Sequence, residues 1–173
     1  MRIILAAALI ALAPAPTLAQ AQSANPQVDY AGFAKLTETT APLREERLLS
    51  LEDFEAKARA PGTLILDARS KDAFSQGHIK GAVNLPLTDF TAESLAAVIG
   101  KNEARAILIY CNNNFSNHRR PVPLKSAPLA LNIQTFINLT GYGYTNVYEL
   151  FDVVDFNDLK VKSPKLKWVA KAA

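Results

Sequence analysis

Two short runs without polar interruption constrain this chain more than any other feature. Thr63-Leu64-Ile65-Leu66 and Ala106-Ile107-Leu108-Ile109-Tyr110 lack the apolar–polar alternation of a strand with one wet face. Each therefore predicts a strand covered on both sides, the setting of a parallel sheet. Weaker strand signals occur at Leu48-Leu49, at residues 82–85 before Pro86, and at residues 146–150.

Helical patterns separate these strands. Ser50 followed by Asp53 reads as an N-cap with an acid in the first turn. The helix should run over 51–59 with Leu51, Phe54 and Ala58 on one face, stopped by Pro61-Gly62. A short helix is expected over 71–74, and a Thr91-capped helix over 92–99 with Leu95, Val98 and Ile99 inward and Gly100 at its end. Ser126-Ala127-Pro128 predicts the start of another helix, burying Leu129, Ile133, Phe136, Ile137 and Leu139 and ending at Gly141 to Gly143. Strands alternating with helices give an α/β fold, a mostly parallel central sheet with helices on both faces. Ligands in such sheets sit beyond the carboxyl ends of the strands, which is where Cys111 falls.

The chain of 173 residues is long enough for one ordinary core. Arg2 precedes an apolar run over residues 3–13, within the roughly 7 to 15 residues of a signal-peptide core. The run is shorter than the about 20 residues needed to span a bilayer. Pro14 and Pro16 follow, and Thr17-Leu18-Ala19 and Ala19-Gln20-Ala21 both fit cleavage sites. The expected organisation is a leader over 1–21, an extended arm with weak helical character over 22–46, one domain over 47–151 and a basic tail over 152–173. Export to a bacterial periplasm follows, with no transmembrane helix once the leader is removed.

Losing Arg2 from 19 basic residues leaves 18 against 16 acidic ones. That balance gives no nucleic-acid signal. The basic excess lies at the end, in Lys160, Lys162, Lys165, Lys167 and Lys171. Leu166 and Trp168 alternate with these lysines, so their face is expected to lie against the body.

Exported domains normally pair their cysteines, and this chain has one. Cys111-Asn112-Asn113-Asn114-Phe115-Ser116 follows a buried strand and carries no charged side chain. Sulfur nucleophiles react as thiolates, and the stabilisers available here are backbone N–H groups of a loop curled around the sulfur. Asparagine readily adopts the left-handed angles such a loop uses, and Ser116 offers a hydroxyl. The bland alternative is a buried structural thiol.

Asp67-Ala68-Arg69, Phe74, the stretch from Gly77-His78-Ile79 to Leu85-Pro86, Tyr110-Cys111, and Gly141-Tyr142-Gly143 with the strand that follows resemble the rhodanese family in content and order. The resemblance covers residues 47–150. It implies that Cys111 accepts sulfane sulfur as a persulfide and passes it to a nucleophile. The N–H groups of Asn112, Asn113, Asn114, Phe115 and Ser116 would then form the cradle, with no cofactor and no metal. Asp67, Arg69 and His78 match motif positions whose role is structural. The partners implied are a small sulfur donor and a thiol acceptor, or a protein.

Two departures stand out. The loop is neutral where family enzymes that use thiosulfate place basic side chains; Arg119 and Arg120 offer a substitute. Residues 117–125, with Pro121 and Pro123, displace the helix that normally follows the loop, which leaves open whether its dipole reaches the sulfur. A catalytically inert binding module is the competing reading. Phosphatase-like chemistry would need an arginine where Asn117 stands, and His78, His118 and Cys111 lack metal-ligand spacing. Secretion of the full-length chain should yield a product starting at Gln20 or Gln22, readable by intact mass; retention of residues 1–19 would refute the leader.

Overall fold

The computed structural model of the chain describes residues 25–161 and 167–170. The leader over 1–21, residues 22–24, and Lys162, Lys165, Leu166 and Lys171 lie outside the described residues.

Five parallel strands form the central sheet: β1 (Leu48–Leu49), β2 (Leu64–Asp67), β4 (Val83–Asn84), β5 (Ile107–Tyr110) and β6 (Val147–Leu150), in the order β1-β6-β5-β2-β4. Every residue of β2 and β5 is buried. Leu64, Leu66, Ile107 and Ile109 enter one core, with Leu95, Ile99, Phe136 and Leu139. Ile65, Leu108 and Tyr110 enter the other, with Phe54, Phe115 and Phe156. Both faces are thus covered, as the uninterrupted apolar runs require.

Helix α2 (Leu51–Ala58) starts at Ser50, whose hydroxyl accepts the Asp53 N–H. Helix α3 (Lys71–Gln76) is capped by Ser70, and α4 (Ala92–Val98) by a reciprocal Thr91–Ser94 box. Helix α5 (Leu131–Gly141) differs from expectation. Ala127–Leu129 closes only one 3-10 turn, extended backbone at Ala130 breaks it, and Ser126 makes no side-chain cap. Leu129, expected inward, is exposed.

The segment expected as an extended arm contains a 16-residue helix, α1 (Tyr30–Glu45), started by Asp29, which accepts the Gly32 N–H at 2.7 Å. Its only buried residue is Thr40, so it lacks the apolar stripe by which a helix is read from sequence. It rests against α5: a Cβ at Gly141 would lie 2.9 Å from Leu36 Cδ2.

Beyond the main sheet, β3 (Gly77–Ile79) pairs antiparallel with β7 (Trp168–Ala170), preceded by α6 (Phe156–Val161). Trp168 is buried, as the alternation with lysines suggested, and its indole occupies the space a Cβ at Gly77 would need, with Nε1 only 2.6 Å away. No helix among the described residues is long and apolar enough to cross a membrane.

A buried polar knot closes the carboxyl end of β2. Asp67 accepts from the Arg69 Nε at 2.9 Å and Nη2 at 2.6 Å, and from the Tyr110 hydroxyl at 2.5 Å. Arg69 donates onward to the carbonyls of Gly77 and Pro121, and Ile79 N–H donates to the Tyr110 hydroxyl. Asn84 Nδ2 bonds the carbonyls of Asp67 and Arg69. Burial opposes the charge on Arg69, but hydrogen bonding to Asp67 and the charge of Asp67 outweigh it and raise its pKa. Burial, then the Asp67 charge, pushes the Tyr110 phenol well above its ordinary value. Arg69→Met, which leaves Asp67 buried beside no counter-charge, should lower stability by about 3–5 kcal/mol. Urea unfolding checks this; a midpoint equal to wild type would show the pair to be dispensable.

Candidate active site

Strand β5 ends at Cys111, whose extended backbone opens a single 3-10 turn over Asn112–Asn114. The turn is closed by Asn114 N–H donating to the Cys111 carbonyl at 3.1 Å. Asn114 Oδ1 accepts from the Cys111 N–H at 2.9 Å, while its Nδ2 donates to the Leu150 carbonyl at 2.7 Å. One side chain thereby ties the ends of β5 and β6 together.

The asparagines act differently from the sequence-based expectation. None adopts a left-handed angle; among non-glycine described residues only His118 does. They serve as brackets instead. Asn112 Nδ2 donates to the Pro123 carbonyl at 2.9 Å, and Asn113 donates to the Lys125 carbonyl and accepts the Lys125 N–H. Together with buried Val122 and the Arg69 bond to Pro121, they fold residues 117–125 back onto the body.

The cradle also differs. The Asn114 N–H, which closes the turn on the Cys111 carbonyl, also points to the Cys111 side chain, whereas the N–H groups of Phe115 and Ser116 bond the carbonyls of Asn112 and Val154. Phe115 fills the second core, and Ser116 is exposed, with no hydrogen bond from its hydroxyl to the thiol. Of the loop, the N–H groups of Asn113 and Asn114 approach the Cys111 sulfur; the other donors are Asn132 and Leu131, in the first turn of α5. The insertion therefore loops out without carrying the helix away. Ala130 at the N-cap offers no side-chain acceptor, which leaves these amides to the sulfur.

Cys111 is 1% exposed and lines a pocket of about 260 Å³. Arg44, Asn132, Glu149 and Phe151 are among its walls. Arg119 and Arg120 are not: both are exposed, and the Arg119 guanidinium lies 5.4 Å over the Phe156 ring. The cation comes from Arg44 on α1, whose Nε and Nη2 both meet Glu149 carboxylate oxygens at 2.7 Å. Sequence reasoning missed both partners. Glu149 had a signal, an acid inside an apolar strand; Arg44 had none, since only the fold brings α1 there.

Asp67, Arg69 and His78 stay outside this pocket. Asp67 and Arg69 form the knot described above. The His78 ring stacks on Phe74 at 3.8 Å, and its Nδ1 lies 2.8 Å from the Phe74 carbonyl. Among the described residues no cluster of three or more His, Cys, Asp or Glu could hold a metal.

Burial pushes the Cys111 thiol above its ordinary pKa; the N–H groups of Asn132, Asn113 and Leu131 pull it down, and the Glu149 charge pushes it up. The resting group is a protected thiol with anion-stabilising donors in place. Because the thiolate is the reactive form and its fraction grows with pH, Cys111 alkylation should still be accelerating above pH ~8.5, where a free cysteine is half ionised. A rate that levels off below pH 7 would contradict this account.

Residues 50–150, more than half of the chain, match the family model of the rhodanese-like domain. Comparison with curated proteins gives no match. Solved structures similar to this chain include the Rhodanese_3-like domain of the Anabaena sp. Alr3790 protein, at 19% identity and TM-score 0.41 over 64% of this chain and 95% of that one. Another is protein hp1203 of Helicobacter pylori, at 18% identity and TM-score 0.44 over 74% and 93%. EanB in its complex with hercynine is 20% identical with TM-score 0.45; the match covers 62% of this chain but only 24% of EanB.

Proposed function

The chain belongs to the rhodanese-like family, and from that premise we propose that it is a sulfurtransferase carrying sulfane sulfur on Cys111. The observation that carries the reading is the set of backbone N–H groups, from Asn113, Asn114, Leu131 and Asn132, around a thiol that lines a pocket at the carboxyl end of the sheet. A thiol that only fills space has no use for such donors.

In the reaction, Cys111 thiolate attacks the outer sulfur of a donor. A bond forms between Sγ and that sulfur, and the bond joining it to the rest of the donor breaks (S–S in thiosulfate or glutathione persulfide, C–S in mercaptopyruvate). The remainder leaves with the electron pair as sulfite, a thiolate or the pyruvate enolate. A thiolate acceptor then attacks the outer sulfur of the Cys111 persulfide, and Cys111 departs as a thiolate. The persulfide sulfur extends about 2 Å beyond Sγ, from a residue that lines the pocket. Export through the N-terminal leader is part of the proposal, with the reaction taking place in the periplasm.

One observation favours a second reading, an inert binding module: Cys111 is 1% exposed and burial raises its pKa. Mass spectrometry separates the two. After exposure to thiosulfate, mercaptopyruvate or glutathione persulfide, the protein should gain the mass of one sulfur atom, and Cys111→Ser should gain none. No gain with any donor would leave the binding module as the reading.

A further inference from the structure

Among the described residues, the pocket's charged walls are one cation and one anion, Arg44 and Glu149, and their geometry is asymmetric. The Nε and Nη2 edge of Arg44 is taken by both oxygens of Glu149. Its Nη1 has no hydrogen-bond partner among the described residues, and the side chain is 28% exposed against 7% for Glu149. A guanidinium has two edges able to take an oxyanion in parallel bonds, and one of them is still available here. Glu149 is further held by Asn132 Nδ2 at 3.2 Å. Asn132 is itself buried at 3% exposure, lines the same pocket, and leaves Oδ1 without a partner among the described residues.

Taking sulfur transfer at Cys111 as the activity, we infer that Arg44 and Glu149 select a donor bearing a single negative charge, an organic sulfur compound with a carboxylate, over a dianion such as thiosulfate. The carboxylate meets the open edge of Arg44. Glu149 fixes the guanidinium plane and offsets its charge, so one added negative charge is balanced by the first-turn amides of α5 while a second faces the buried carboxylate unopposed. Arg44 is the specificity-determining residue and Glu149 its positioning residue. Arg44 also lies ahead of residues 50–150, so the family match does not supply it.

The full chain, labelled with nitrogen-15, is titrated with 3-mercaptopropionate, a monoanion that donates no sulfur, and with sulfate, a dianion. The Nε resonance of Arg44 and the amides of Leu131 and Asn132 should follow mercaptopropionate at least tenfold more tightly than sulfate. Glu149→Gln, which keeps an acceptor for Arg44, should shrink that ratio at least tenfold, and Arg44→Lys should weaken mercaptopropionate. Sulfate binding as tightly as mercaptopropionate to wild type, no response to either, or an unchanged ratio in Glu149→Gln would overturn the inference. Sulfur loading from mercaptopyruvate and thiosulfate separates it from the reading beneath it. Equal loading from both sinks the selectivity alone, whereas preferential mercaptopropionate binding without loading from any donor sinks sulfur transfer alone.

Discussion

The Asp67–Arg69 pair is the interaction on which the site's position depends. Both residues are nearly inaccessible, and a charge so placed is tolerated only when paired and fully hydrogen-bonded. Its bonds reach Tyr110 on β5, Gly77 at the start of β3, and Pro121 in the insertion, while Asn84 on β4 bonds its backbone. Arg69 also lies 5.5 Å over the Tyr110 ring and 5.6 Å over that of Trp168. Tyr110 directly precedes Cys111, so the knot sets where β5 stops and where the thiol stands.

Beyond that knot the sulfur environment is assembled from three separate parts of the chain. The loop contributes two amides, the first turn of α5 two, and α1 with β6 an ion pair. Asparagine side chains hold these parts in register. Asn114 joins β5 to β6, Asn132 joins α5 to Asn114 and Glu149, and Asn112 and Asn113 pin the insertion. Amides suit this task because each offers donors and an acceptor without adding charge beside a thiol. The neutrality of the loop thus has a structural use, and the charge is supplied from farther away in sequence.

Much of this architecture was legible from sequence because it rests on local physics. Unbroken apolar runs gave β2 and β5; Ser50 and Thr91 marked the starts of α2 and α4; the motif order placed Cys111 at a strand's carboxyl end. The start of α5 was misread because Ser126 and Pro128 form a plausible first turn, whereas the chain needs extended backbone at Ala130 to bring Leu131 and Asn132 to the sulfur. Helix α1 was missed because it buries one residue and carries Pro42, so neither periodicity nor propensity announces it.

Sequence by itself determined the layers, the placement of the cysteine and the absence of charge in its loop, since these follow from which residues are neighbours along the chain. Only the tertiary structure decided which amides face the sulfur and which arginine stands beside it. Arg44 and Glu149 are separated by 105 residues yet share two hydrogen bonds, while Arg119 and Arg120, close to the cysteine in sequence, turn away. Contacts of that range are set by how helices seat on the sheet, and no local pattern encodes them.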